Sequence, residues 1–339
     1  MSDFLPRLTG YLDTLGTPYH IEQLTPDAST REYFRIRTDA SSAVACVYPE
    51  PFTASEQSYL DTTQLFRSCE LPVAKVIDFN ESLGVIIIED LGDTILRDVL
   101  VSSSTEERES YLNRAIGLIA RIQAATDAAV ASGSIASRLR FDVEKLSWEL
   151  EFFREHYFTT YRARPLSTED DAAVRSEFIE LARKLESRIS VLCHRDFHAA
   201  NLMIDARGEL RIIDHQDARM GTASYDLVSL LLDRVTQPPT AVWLAEKRRF
   251  FLSQREENGL EKLDENDFAE EFRLQTIQRC LKAVGTFSFQ SATRGKTYFE
   301  PFILPMFQIV RRALAQVHRF PVLERLVARE IELAGSRSV

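Results

Sequence analysis

The segment His194-Arg195-Asp196-Phe197-His198-Ala199-Ala200-Asn201, followed by Ile212-Ile213-Asp214, holds two carboxylates and a carboxamide at defined intervals. Asp196 and Asn201 are five residues apart, and Asn201 and Asp214 are thirteen apart. One carboxylate can orient a hydroxyl and accept its proton. An amide oxygen and a second carboxylate can hold Mg²⁺ against a triphosphate. The turn Asp205-Ala206-Arg207-Gly208 separates two short apolar runs, Leu202–Ile204 and Leu210–Ile213. It predicts a hairpin that folds Asp214 back beside the loop. The competing reading makes Asp196 a turn residue and Asn201 and Asp214 caps; the coincidence of loop, hairpin and both spacings favours the chemical one.

Elements on either side must position these groups. Leu5, Leu8, Leu12 and Leu15 recur at helical steps, and Gly16-Thr17-Pro18 stops that helix. Glu32–Arg37 and Ala43–Tyr48 read as a strand hairpin, and Val73–Phe79 and Val85–Glu89 as two further strands. Thr53-Ala54-Ser55-Glu56 has the capping-box pattern of a helix running to about Cys69. Together these predict a small lobe of five strands and a helix, in which four strands can be placed. Beyond Leu91-Gly92-Asp93 the pattern turns helical: Tyr111–Ala125, Phe141–Tyr157, Asp170–Ser187, and most of the chain from Tyr225, with breaks at Pro238-Pro239, Pro301 and Pro305. The expected architecture is α+β in two lobes, residues 1–91 binding nucleotide and 92–339 carrying the catalytic loop and the substrate site.

Composition narrows the function classes. The 339 residues, 45% hydrophobic and 27% charged, are those of an ordinary globular chain. A net charge of −10 argues against binding a nucleic-acid backbone, which needs a basic footprint. Cys46, Cys69, Cys193 and Cys280 are scattered without metal-ligand spacing, as reduced cytosolic thiols are. The first eleven residues lack the apolar stretch of a signal peptide, and Val85–Ile88 is far too short to span a bilayer. A cytoplasmic monomer with a small-molecule substrate, and neither nucleic acid nor membrane as partner, is expected.

The loop spacings match the kinase pattern H-R-D-x-x-x-x-N followed by a metal-binding Asp. Here Asp214 precedes His215-Gln216 rather than Phe-Gly, and the loop has a second histidine, His198. That form resembles the aminoglycoside phosphotransferase and choline kinase superfamily, and so implies a bilobal protein-kinase-like fold. It implies ATP and Mg²⁺ as cofactors, Asp196 as the base, and Asn201 and Asp214 as metal ligands. It also puts Ser29-Thr30-Arg31-Glu32-Tyr33-Phe34-Arg35 at the phosphates and Glu89-Asp90-Leu91 at the hinge, where Glu89 and Leu91 would offer backbone groups to adenine. Asp226 resembles the aspartate that holds the catalytic-loop backbone. Gln278–Phe287 and Arg294-Gly295-Lys296 resemble one subgroup, the bacterial anomeric N-acetylmuramate/N-acetylglucosamine kinases of cell-wall recycling. Without an Ala-Pro-Glu segment after Asp214, a small molecule rather than a protein is the expected acceptor.

Two departures stand out. No glycine-rich loop precedes Arg31, and Ala43–Tyr48 lacks the lysine such folds carry there. Arg31 or Arg35 is the candidate replacement; for each the alternative is a solvated strand-edge arginine. Glu149, Asp217, Arg279 and Lys282 are candidate substrate residues, with a solvated Glu as the alternative for Glu149. Arg279, Lys282 and Lys296 would suit an N-acetyl sugar acid, whereas an aminoglycoside or choline-type amino alcohol would want an acidic cleft. A nucleotide-binding pseudokinase is the rival of a different class; the missing lysine speaks for it, the intact Asp196, Asn201 and Asp214 set against it.

Overall fold

The computed structural model describes residues 3–16, 18–24, 30–39 and 41–335. It is mixed α+β, with an antiparallel sheet early in the chain and mostly helices later, the class the sequence predicts. In chain order the elements are α1 (Phe4–Asp13), β1 (His20–Leu24), β2 (Glu32–Arg37), β3 (Ser42–Val47), α2 (Ser58–Ser68), β4 (Val76–Asn80), β5 (Val85–Glu89), α3 (Leu96–Ser102), α4 (Thr105–Ala124), α5 (Thr126–Ser132), α6 (Ile135–Arg138), α7 (Val143–Arg154), α8 (Thr168–Glu186), β6 (Val191–Cys193), β7 (Leu202–Ile204), β8 (Leu210–Ile212), β9 (Arg219–Gly221), α9 (Tyr225–Leu232), α10 (Ala241–Glu257), α11 (Glu265–Arg294), α12 (Ile303–Val317) and α13 (Pro321–Gly335). They form two compact units: Met1–Arg108, Asp127–Ala136 and Ala199–Ala218 make the first, and Glu109–Thr126, Ser137–His198 and Arg219–Val339 the second.

The first unit is built on a five-stranded sheet of order β1-β2-β3-β5-β4, every neighbouring pair antiparallel. Strand alternation puts Phe34, Ile36, Ala45, Val47, Val85 and Ile87 on one face, where Leu8, Tyr11 and Leu12 of α1 cover them. The fifth strand is β1, whose His20, Glu22 and Gln23 are exposed, so no apolar alternation marks it in the sequence. The expected helix from Thr53 does not form as such. Ala54–Glu56 is a separate 3₁₀ turn, Thr53 makes no side-chain cap, and α2 starts at Ser58 with the Gln57 side chain accepting the Tyr59 amide at 3.2 Å. The strand expected from Val73 begins at Val76, because Val73 instead bridges to Ile212.

The second unit is organised around α11, which meets α7, α8, α9 and α12. Gly285 lets α11 touch α7: a Cβ there would stand 2.6 Å from the Phe153 Cα and 2.9 Å from its nitrogen. Phe153 in turn meets Phe158, Phe178 and Phe307 edge-on in the core. After Arg154 the helix widens into a π-helical turn, Glu155–Tyr161, where the sequence reading continues a regular helix to Tyr157. A two-stranded ladder of β6 and β9 lies beside α9, whose residues are all buried. Among the described residues no helix is long and apolar enough to cross a membrane.

The close approach at Gly285 sets a stability test. G285A must push backbone apart rather than a flexible side-chain tip, a cost of about 1–3 kcal/mol. A thermal melt should show Tm lower by several degrees; an unchanged Tm would mean the two helices separate freely.

Candidate active site

The loop carrying Asp196 leaves β6 at Cys193 and is held from below by Asp226, in the first turn of α9. The backbone N–H groups of His194 and Arg195 donate to its two carboxylate oxygens at 2.6 and 3.0 Å. Asp226 is fully buried, and burial raises its pKa while the His194 charge and the two amides oppose that rise. Arg195 has φ +86°, a left-handed conformation that costs a non-glycine residue energy and persists only where neighbours impose it. His194 is buried edge-on to Phe197, so both side chains shape the loop from inside.

Three cations surround the Asp196 carboxylate. Lys282 Nζ and Arg279 Nη2, both on α11, stand 3.6 and 3.8 Å from Oδ1, and Arg195 Nε stands 3.8 Å from Oδ2. Burial alone would raise its pKa, but Lys282, Arg279 and Arg195 outweigh that and hold the carboxyl well below the usual range. Arg279 is fixed in place: it donates to the Tyr225 hydroxyl at 3.0 Å and lies 4.9 Å above that ring. Lys282 has no such tether; burial, with Arg279 beside it, lowers its ammonium pKa.

Asn201 and Asp214 come together through the hairpin. β7 and β8 pair Leu202 with Ile212, and Asp205 closes the turn by accepting the Arg207 and Glu209 amides at 2.9 and 3.0 Å. One step past the ladder the Ile213 amide donates to the Asn201 carbonyl at 3.1 Å, setting Asp214 beside Asn201. Asp214 sits at φ +61°, a region aspartate tolerates better than most residues. Its Oδ1 accepts from Gln216 Nε2 at 2.7 Å and lies 3.5 Å from Arg31 Nη2. The guanidinium of Arg31 lies over the rings of Tyr33 and Tyr48, 5.8 and 5.7 Å from their centroids. The next residue, His215, is buried on α2: its Nε2 is 2.7 Å from Thr63 Oγ1, and the Tyr59 and Phe66 rings flank it.

The donor set fits Mg²⁺. A carboxamide and a 41%-exposed carboxylate, on residues whose backbones are joined through the Ile213 amide, offer the hard oxygen ligands that ion prefers. Among the described residues no group of three His, Cys, Asp or Glu side chains could cage a metal alone. An ion held by one or two side chains and completed by phosphates and water matches that arrangement.

Other residues named from the sequence are distributed as follows. Arg35 is buried and committed, donating to Asp90 at 2.8 Å and Asp93 at 2.7 Å, so its charge is already matched. Thr30 is exposed just before β2, and Ser29 lies outside the described residues. The Glu89 side chain is gripped by Arg211 at 2.9 Å, and its amide donates to the Lys75 carbonyl at 2.8 Å. Arg211 holds the Glu89 carboxyl below its ordinary pKa. The Leu91 side chain is buried, and Asp217 is partly buried in the turn after Asp214. Glu149 is not solvated: it is 1% exposed while its neighbour Trp148 is 57% exposed. It accepts from Gln278 at 2.7 Å, Gln278 from Gln275 at 3.0 Å, and Gln275 from Thr222 at 2.9 Å, a buried polar row. The contacts of Tyr225, Thr63 and Gln278 escaped the sequence reading because their partners lie far along the chain. The one local signal was the polar stripe Gln275, Gln278, Arg279 and Lys282 at helical spacing on α11.

This electrostatic arrangement predicts that D196N loses turnover and also stability. Removing the charge leaves three cations facing one another. The cost should be about 1–2 kcal/mol, below the roughly 3–5 kcal/mol of a fully buried pair, because the carboxylate is 29% exposed. The wild-type advantage should be full above the ordinary carboxylate range and vanish as pH falls through the depressed native pKa. Urea melts of both proteins from pH 7 to pH 3 check this; a gap that widens on acidification contradicts it.

The chain resembles proteins of known kind. The chain is 29% identical over 317 residues to the N-acetylmuramate/N-acetylglucosamine kinase of Neisseria meningitidis serogroup B, a match covering 92% of this chain and 90% of that one. The fold is that of choline kinase LicA from Streptococcus pneumoniae, with TM-score 0.58 and 14% identity over 93% of this chain and 100% of that one. It is equally that of spectinomycin phosphotransferase APH(9)-Ia, solved with ADP and spectinomycin, with TM-score 0.54 and 14% identity over 91% and 97% of the two chains. A sequence profile of the phosphotransferase enzyme family, APH, matches residues 20–265, and the chain belongs to that family.

Proposed function

We propose that this small-molecule kinase transfers the γ-phosphoryl group of ATP to the anomeric hydroxyl of N-acetylmuramate or N-acetylglucosamine in the cytoplasm. The observation that carries the reading is the set of cations around Asp196. A carboxylate with so low a pKa is a weak base, and it works best on an acidic hydroxyl. An anomeric hydroxyl is more acidic than an ordinary alcohol, because the ring oxygen stabilises its oxyanion. The name of the Neisseria relative supports the same acceptor. A cationic aminoglycoside or choline would be repelled by Arg279 and Lys282.

In this reading Asp196 orients the acceptor hydroxyl and takes its proton as the oxygen–phosphorus bond forms and the bond to ADP breaks. In a loose transition state little of that proton transfer is needed early. Asn201 and Asp214 would hold Mg²⁺, which when bound neutralises charge on the phosphates. Arg31 takes the place of the absent strand lysine: it is the cation already directed at Asp214, whereas Arg35 is consumed by Asp90 and Asp93. Glu149, Arg279 and Asp217 belong to the acceptor side, and Glu89 and Leu91 to the adenine side.

R31A should raise the KM for ATP about tenfold or more, the loss of one charge-assisted contact, with the acceptor KM little changed. Equal ATP affinity in R31A and wild type would mean metal and backbone suffice. The acceptor is tested with purified enzyme, ATP and a panel of N-acetylmuramate, N-acetylglucosamine, choline and kanamycin. ³¹P NMR should show a phosphate coupled to the anomeric proton. Phosphate at C6, or turnover only with choline or kanamycin, overturns the acceptor. No turnover with any of the four, with ATP still bound, leaves the pseudokinase.

A further inference from the structure

The catalytic loop 194–201 contains no lysine, and β3 contains none either. The transferring phosphoryl group spreads charge over its peripheral oxygens, and something positive must meet that charge. Arg279 is poorly placed for this, being tied to both the hydroxyl and the ring of Tyr225, and Arg195 approaches the other carboxylate oxygen, Oδ2, at 3.8 Å. Lys282 differs. Its ion pair among the described residues is to Asp196 Oδ1 at 3.6 Å, beyond direct hydrogen-bond length, and its side chain keeps 22% exposure. An ammonium has three donors. At least two of them remain available on the side chain nearest the base.

We infer that Lys282 is a catalytic residue, donating to a peripheral oxygen of the phosphoryl group as that group meets the acceptor hydroxyl held by Asp196. This rests on the phosphotransfer reading above. Reach decides the role. The acceptor oxygen must lie within a hydrogen bond of Asp196, and the phosphorus within about 3 Å of that oxygen as they react. A cation 3.6 Å from the same carboxylate lies within one side-chain adjustment of the peripheral oxygens. No proton leaves Lys282: the hydroxyl proton passes to Asp196, the new O–P bond forms, and ADP departs with the electrons of the broken one. Buried Glu149 faces the same cations, balances part of their charge, and so lets two of them sit beside one carboxylate.

The test compares wild type, K282M and K282R, with D214A as the control for phosphotransfer itself. K282M should lose about 10²-fold in kcat, the usual cost of one preorganised donor, while KM for ATP and for the sugar shifts little. K282R should recover a substantial part of the loss. Titration calorimetry supplies a readout apart from turnover. ADP with aluminium fluoride, which mimics the phosphoryl group in flight, should bind K282M at least tenfold more weakly, while ADP alone binds as to wild type. If K282M keeps wild-type kcat while D214A is dead, the inference fails and the kinase reading stands. A raised sugar KM with unchanged kcat makes Lys282 an acceptor-binding residue and also overturns it. If K282M does not fold, K282R carries the test: mimic binding and kcat indistinguishable from acetylated-lysine-like K282Q would refute the role. If D214A turns over like wild type, the kinase reading itself has failed.

Discussion

Two main-chain hydrogen bonds hold the Asp196 loop in place. Asp226 accepts the amides of His194 and Arg195, and the turn they impose drives Arg195 to φ +86°. Without that grip the loop would relax toward an ordinary turn and carry Asp196 away from Arg279 and Lys282. The arrangement is costly in itself, since a buried carboxylate must find compensation for lost water. The compensation comes from backbone donors that need no side-chain entropy and from the helix start on which Asp226 sits. The strain at Arg195 is therefore offset by α9, an element buried along its whole length.

The second consequence of the grip is electrical. Once Asp196 is delivered to α11, its reactivity is decided by Arg279 and Lys282 rather than by its own chemistry. In the function proposed above, basicity is exchanged for positive charge beside Asp196, which suits an acceptor whose hydroxyl gives up its proton readily. The hairpin side is comparable: Asp214 is itself at positive φ and is also faced by an arginine, with α2 clamping the residue after it through Thr63 and His215.

Much of this was legible in the sequence, and the reasons are local. Asp196, Asn201 and Asp214 lie within nineteen residues, and the turn between β7 and β8 is written in Asp205 and Gly208. The helical pattern marked α7 and α8 to within a few residues, and α11 only as part of the helical stretch from Tyr225. What remained hidden depends on distant partners. β1 is a polar edge strand, recognisable only by its pairing with β2. Glu149 looks solvated beside Trp148 until α11 covers it with Gln278. Thr53-Ala54-Ser55-Glu56 reads as a helix start, yet Gln57 goes extended and the helix begins after it.

The way the chain threads its two units has a consequence for its synthesis. The first unit is not finished when the sheet is complete: it also needs Asp127–Ala136, whose Ser134 and Ile135 bind Asp61, and Ala199–Ala218, whose Arg211 holds Glu89. A nascent chain emerges from its N-terminus. The sheet would thus wait on the ribosome with α2 and β5 lacking their partners until residue 218 has cleared the exit tunnel. By then β6 and the Asp196 loop are already out. The loop's clamp, Asp226, follows within the next turn of chain, so the order of synthesis closes the hairpin first and the catalytic loop immediately after.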